Sequence, residues 1–173
     1  MEVFNFKNRL IVEVKDKQLP NNKRLKMFKI NFLPHTVCVL PVFTRSKEIV
    51  LLRQYRPVID KYIIEAPAGT AEPNEKPEET AKRELEEETG LISTKLVNIA
   101  NGYVSPGYTT EYMHYYLSID PLIGKPSPEA TEIIEPIRVN IKQAIDFINK
   151  GIIEDSKTAL VVLFANIYLA SQS

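Results

Sequence analysis

Gly69-Thr-Ala-Glu-Pro-Asn-Glu75-Lys-Pro77-Glu-Glu-Thr-Ala81-Lys-Arg83-Glu84-Leu85-Glu86-Glu87-Glu88-Thr89-Gly90-Leu91 is the stretch on which the reading of this chain turns. Pro77 suits a first helical position and Gly90 a left-handed stop, so the spacing predicts a helix over 77–89. At about 100° per residue, Glu84, Glu87 and Glu88 share one face as i, i+3 and i+4 neighbours. Ala81 and Leu85 form an adjacent stripe that can dock on a sheet. Like charges at this spacing cost roughly a few tenths of a kcal/mol per exposed pair, and more when partly buried. Glutamates near a helix C-terminus also oppose the macrodipole. Such a face calls for a cation. Magnesium is the natural one, being a hard ion held by one or two carboxylates together with waters and substrate phosphates. The alternative is a solvated charged helix whose glutamates pair with Lys82 and Arg83.

Outward from this helix, the first third of the chain is strand-like. Segments 9–15 and 24–33 alternate apolar and polar residues around Pro20-Asn21-Asn22, a hairpin signature. Segments 35–43 and 48–54 are β-branched runs, and 61–65 is a short strand closed by Pro67 and Gly69. Beyond the helix, strands are expected over 95–103, 111–119 and 133–139, then helices over 141–150 and 157–170. One helix inside a strand-rich chain and another at its end predict an α/β sandwich around a mixed sheet. The expected division is an N-terminal strand and hairpin element over 1–33, pairing with another subunit, and a main domain over 34–173.

The chain has 173 residues, enough for one domain with a real core. Its 22 basic and 22 acidic side chains balance, so no net field draws it to nucleic acid or to an anionic membrane. The one cysteine, Cys38, lies in an apolar run and reads as a small buried hydrophobe, which excludes an internal disulfide framework. Neither a secretory signal nor a run of membrane-span length is seen. The expected location is a reducing cytoplasm. His35 and His114 lack metal-ligand spacing and read as strand residues.

From Gly69 to Leu91 the chain matches the Nudix box: Gly, five residues, Glu, seven residues, then Arg-Glu-aliphatic-any-Glu-Glu-any-Gly-aliphatic. Seven of these positions are fixed in identity, and at background frequencies of roughly 5–7% chance agreement is on the order of 10⁻⁸ to 10⁻⁹ per starting point. The chain therefore resembles the Nudix hydrolases across most of its length. The resemblance implies a Nudix α/β/α sandwich and two or three divalent ions per site, magnesium or manganese, held against a diphosphate. Glu84 and Glu88 match metal-ligating carboxylates, and Ala68 matches a residue whose carbonyl commonly ligates metal. Glu87 matches a position that ligates a further metal or supports the first, and it joins the catalytic set. Arg83 and Glu75 match positions that orient the carboxylates.

Three segments outside the box are similar to the ADP-ribose and ADP-sugar pyrophosphatase branch. Gln54-Tyr55-Arg56-Pro57 followed by Ile64-Glu65-Ala66-Pro67-Ala68-Gly69 implies substrate contacts from Arg56 and Glu65. Ser105-Pro106-Gly107 implies a substrate-facing Pro106. Glu129-Ala-Thr-Glu132-Ile-Ile-Glu135 resembles the segment supplying a catalytic glutamate; Glu132 fits the register, Glu129 is the alternative, and Ala130 and Thr131 depart from the more acidic loop of relatives. The activity implied is hydrolysis of ADP-ribose to AMP and ribose 5-phosphate by a homodimer. Another nucleoside diphosphate derivative (an ADP-sugar, NADH or an oxidised nucleotide) or a non-cutting ADP-ribose binder are the alternatives. The C-terminal 151–160 segment reads as packing.

Overall fold

The computed structural model describes residues 2–7, 9–127 and 132–172. At its centre lies β4 (Thr36–Phe43), buried along nearly its whole length. A strand buried on both faces reads as a continuous apolar run, as Thr-Val-Cys-Val-Leu-Pro-Val-Phe does. β4 pairs in parallel with β10 (Tyr112–Ile119) and antiparallel with β5 (Glu48–Arg56). Outside these lie β9 (Leu96–Tyr103) beyond β10 and β12 (Ile134–Asn140) beyond β5, giving the order β12-β5-β4-β10-β9. β6 (Lys61–Glu65) adds to β5 and the short β7 (Ala68–Thr70) adds to β4. One parallel pair among antiparallel ones makes this the mixed sheet expected.

The period-two alternation of β4 sorts its side chains between two helical layers. Val37 and Val39 face α1 (Pro77–Thr89), where they pack with Val50, Tyr116, Ala81 and Leu85. Cys38, Leu40 and Val42 face the other way, onto Val161, Val162, Ala165 and Leu169 of α3 (Ser156–Ser171) and Ala144 of α2 (Ile141–Asn149). The result is an α/β/α sandwich. α1 runs over the residues expected, with Pro77 at its start and Gly90 ending it at φ 71°. A side chain at Gly90 would meet the Pro126 backbone nitrogen at 2.6 Å as well as adopting a left-handed backbone.

The N-terminal strands form their own antiparallel sheet of β1 (Glu2–Phe6), β2 (Leu10–Gln18) and β3 (Arg24–Phe32). The hairpin of β2 and β3 runs over the segments expected, and β1 adds a strand before it. β3 docks on the main body through backbone bonds from Ile30 N–H to Tyr108 O (2.8 Å) and from Thr110 N–H to Ile30 O (3.0 Å). β8 (Leu91–Ile92) and β11 (Leu122–Ile123), a small ribbon beyond α1, also went unanticipated. No helix among the described residues is long and apolar enough to cross a membrane.

Leu85 is fully buried and anchors α1 to the sheet. Leu85→Ala should lower stability by about 2–5 kcal/mol, the range for emptying a core leucine site, as read from urea unfolding.

Candidate active site

Strand β7 and helix α1 build one wall of a cavity of about 490 Å³. Five of the residues singled out in the sequence line it together: Arg56, Ala68, Glu84, Glu87 and Glu132. Glu88 sits behind them, 2% exposed, its carboxylate accepting a bond from the Ala68 N–H at 3.0 Å. The antiparallel pairing of β7 with β4, Ala68 opposite Cys38 and Gly69 opposite Val37, holds that backbone over the acidic face of α1. A side chain at Gly69 would displace the Glu84 carboxylate. A Cβ on it would fall 1.9 Å from the Glu84 carboxylate.

Arg83 supplies a cation among these carboxylates. Its Nε and Nη2 donate to Glu75 at 2.9 and 3.1 Å, and its Nη1 lies 2.9 Å from both Glu84 and Glu87. Nη2 also reaches the Thr70 carbonyl at 3.2 Å, tying α1 to β7. The charged-helix alternative is thus realised in part, through Arg83. One guanidinium nevertheless faces Glu75, Glu84 and Glu87, with Glu88 adjacent, so negative charge remains in excess. Its distribution is uneven: Glu75, gripped by Arg83, is held down at about 2. Glu84 is pushed up to about 7 by burial, against the pull of Arg83. Glu88 is pushed up to about 9 by burial and then by Glu84. Glu132, on the same cavity, adds to the upward push on both. Glu129 lies outside the described residues.

This donor set fits a hard divalent cation. Buried carboxylates that hold protons in the absence of an ion become favourable as oxygen ligands when one neutralises them. Among the described residues no three His, Cys, Asp or Glu side chains converge into a ready-made cage.

Arg56 is held from behind. Glu65, 1% exposed at the end of β6, accepts from Arg56 Nη2 at 2.8 Å and Nε at 2.5 Å, and Lys157 of α3 also bonds it. Lys157 pairs in turn with Asp155 at 2.9 Å, the residue that caps α3. Burial alone would raise Glu65, but Arg56 and Lys157 carry it below its ordinary value. Glu65 thus holds Arg56 from behind, and it is not among the residues lining the cavity. Pro106 is exposed on the 105–108 turn and is not among the residues lining this cavity.

Sequence reasoning passed over several residues. Lys157 and Asp155 stood in a segment read as packing, and nothing in their spacing connects them to Glu65, about ninety positions away. Phe6, Lys7, Arg9 and Phe32 bring the N-terminal sheet to the same cavity. Arg9 donates to the Ala71 carbonyl at 2.7 Å and so pins the loop leading into α1. Because the Gly69 backbone and the Glu84 carboxylate compete for one space, Gly69→Ala should cut turnover at least about tenfold while leaving circular dichroism unchanged, since small misplacements of reacting groups are costly.

The chain's similarity to known proteins agrees with this geometry. The NUDIX domain pattern matches residues 33–158. An ADP-ribose pyrophosphatase of Bacillus subtilis (strain 168) is 35% identical over 162 residues, covering 92% of this chain and 86% of the relative. A methanol dehydrogenase activator of Bacillus methanolicus is 32% identical over the same shares. A GDP-mannose pyrophosphatase of Yersinia enterocolitica is 31% identical over 63% of this chain and 58% of the relative. The crystal structure of an ADP compounds hydrolase superposes with a TM-score of 0.87 at 19% identity, covering 100% of this chain and 92% of that one, and so shares the fold. With the box residues, the sandwich and the matched domain in agreement, the chain belongs to the Nudix family.

Proposed function

We propose that this protein hydrolyses the pyrophosphate bond of ADP-ribose, releasing AMP and ribose 5-phosphate, with magnesium or manganese as cofactor. The observation that carries the reading is the convergence of Arg56, Ala68, Glu84, Glu87 and Glu132 on one cavity. The choice of ADP-ribose is supported by the Bacillus subtilis relative, whose similarity spans nearly the whole chain. Glu84 and Glu88 would hold the ions with the Ala68 carbonyl, and Glu87 would support them or take a further one. When bound, such ions neutralise phosphate oxygens and acidify a water. Arg56, fixed in a bidentate grip by Glu65, directs its remaining donors at the diphosphate. Glu132 receives the proton of the water that attacks phosphorus, as a general base placed outside the helix. Arg83 restrains Glu84 and Glu87 from one side.

A homodimer is part of the proposal, supported by Phe4, Phe6, Phe28 and Leu33, which the N-terminal sheet and its exit leave exposed. The reducing cytoplasm rests on the single buried thiol of Cys38.

A panel of nucleoside diphosphate derivatives with magnesium tests the substrate. AMP and ribose 5-phosphate from ADP-ribose are expected. Faster cleavage of a GDP-sugar, or binding of ADP-ribose without cleavage, would count against the proposal.

Glu88→Gln keeps an acceptor for the Ala68 N–H yet removes the charge. Turnover should drop by more than about a hundredfold, since even residues that only orient metal ligands cost 10–100-fold. Glu86→Gln, exposed on the opposite side of α1, should be silent.

Stability should also report the ions. The folded state raises Glu84 and Glu88 above their unfolded values, so it holds protons that the unfolded chain has lost. Stability of chelator-treated protein should therefore fall as pH rises from about 5 to about 9. Magnesium replaces those protons, so its addition should raise the melting temperature more at pH 9 than at pH 6. In Glu88→Gln the fall with pH should be shallower. A melting temperature indifferent to both magnesium and pH would contradict the assignment.

A further inference from the structure

The parallel pairing of β4 and β10 brings together two histidines that stand 79 positions apart. With Thr36 opposite Met113 in register, His35 and His114 meet at the shared strand start, their rings edge to face at 71°. His35 Nδ1 lies 3.2 Å from His114 Nε2. The other nitrogen of His114, Nδ1, is 3.0 Å from Asn101 Oδ1. That oxygen also accepts from the Asn98 amide at 2.9 Å, while the Asn101 amide donates back to Asn98 Oδ1 at 3.2 Å. The Asn98 amide nitrogen also donates to the Tyr115 carbonyl at 3.3 Å, which orients the amide pair and makes Asn101 Oδ1 an acceptor, so His114 Nδ1 carries the hydrogen and its Nε2 presents a lone pair towards His35.

We propose that His35 and His114 form a binding site for a borderline divalent ion of the zinc, copper or nickel type, separate from the carboxylate-lined cavity. Two imidazole nitrogens bound to one tetrahedral ion at about 2.0–2.1 Å stand roughly 3.3 Å apart, close to the separation found here. The Cβ–Cγ torsion of histidine is broad, so both rings can turn to aim at a common point. His35 moves its hydrogen from Nδ1 to Nε2, and no net proton is released from the neutral pair. The Asn101 carbonyl does for His114 what oxygen partners do for metal-bound histidines generally, fixing tautomer and ring orientation. Imidazole pairs select ions of this type and leave magnesium to oxygen sites. Among the described residues no third protein ligand joins them, so water completes the coordination.

The test is titration of the chelator-treated, then magnesium-saturated, protein with Cu²⁺, followed by calorimetry and electron paramagnetic resonance. The intact chain should bind one Cu²⁺ with hyperfine structure from two nitrogens. His35→Ala and His114→Ala should each weaken binding by about tenfold or more and lose the two-nitrogen pattern, and Asn101→Ala should weaken it by about tenfold while keeping the pattern. Thermal unfolding with chelator checks that each variant is folded; should one fail to fold, the other histidine variant decides. Absence of binding to the intact chain, a one-nitrogen signal, or an affinity in both histidine variants equal to that of the intact chain would overturn the proposal.

Discussion

Glu84 and Glu88 lie one helical turn apart, are almost wholly withdrawn from water, and share their surroundings with Glu132. Burying one carboxylate without a matching positive charge is costly, and burying two side by side is more so. Within the same helix the expense is offset by the neighbouring stripe: Ala81 and Leu85 are fully buried against Val37, Val39 and Tyr116. α1 is therefore anchored on its apolar side while its acidic side stays energetically unfulfilled. In the proposed function a divalent cation takes the place of the protons that burial favours on the two glutamates.

The elements around α1 bring a backbone and a further carboxylate, Glu132, to those glutamates. β7 is only three residues long, yet it aligns Ala68 and Gly69 over Glu84 and Glu88 because β4 fixes its register. Arg83 binds the Thr70 carbonyl from α1, and Arg9 binds the Ala71 carbonyl from the N-terminal sheet, so the same loop is held from two sides. A second chain of charge runs through Arg56, Glu65, Lys157 and Asp155, joining β5 and β6 to the start of α3. Buried ion pairs add little net stability because desolvation cancels their attraction, but they specify geometry. Here the geometry specified is that of Arg56.

Much of this was legible in the sequence. The ends of α1 followed from Pro77 and Gly90, whose backbone preferences act locally, and the acidic face followed from helical spacing. The strands of the N-terminal hairpin followed from their alternation, and β4 and β5 from their β-branched runs. What escaped notice depends on partners far along the chain. β7, β8 and β11 are two or three residues long and exist only because another strand is there to pair with. Lys157 becomes a partner of Glu65 only after α3 packs on the sheet, and its local sequence carries no trace of that contact. His35 and His114 were read as isolated for the same reason. Glu65 was singled out with Arg56 for a substrate contact, while its burial and its bonds to Arg56 and Lys157 arise only once β5, β6 and α3 are packed together.

The account is tested most directly by a crystal structure of the protein with magnesium and a non-hydrolysable ADP-ribose analogue. It predicts an ion about 2.0–2.1 Å from carboxylate oxygens of both Glu84 and Glu88, with analogue phosphate oxygens completing its octahedron. A bound analogue with no ion beside those two glutamates, and Glu88 still engaged only with the Ala68 N–H, would contradict it.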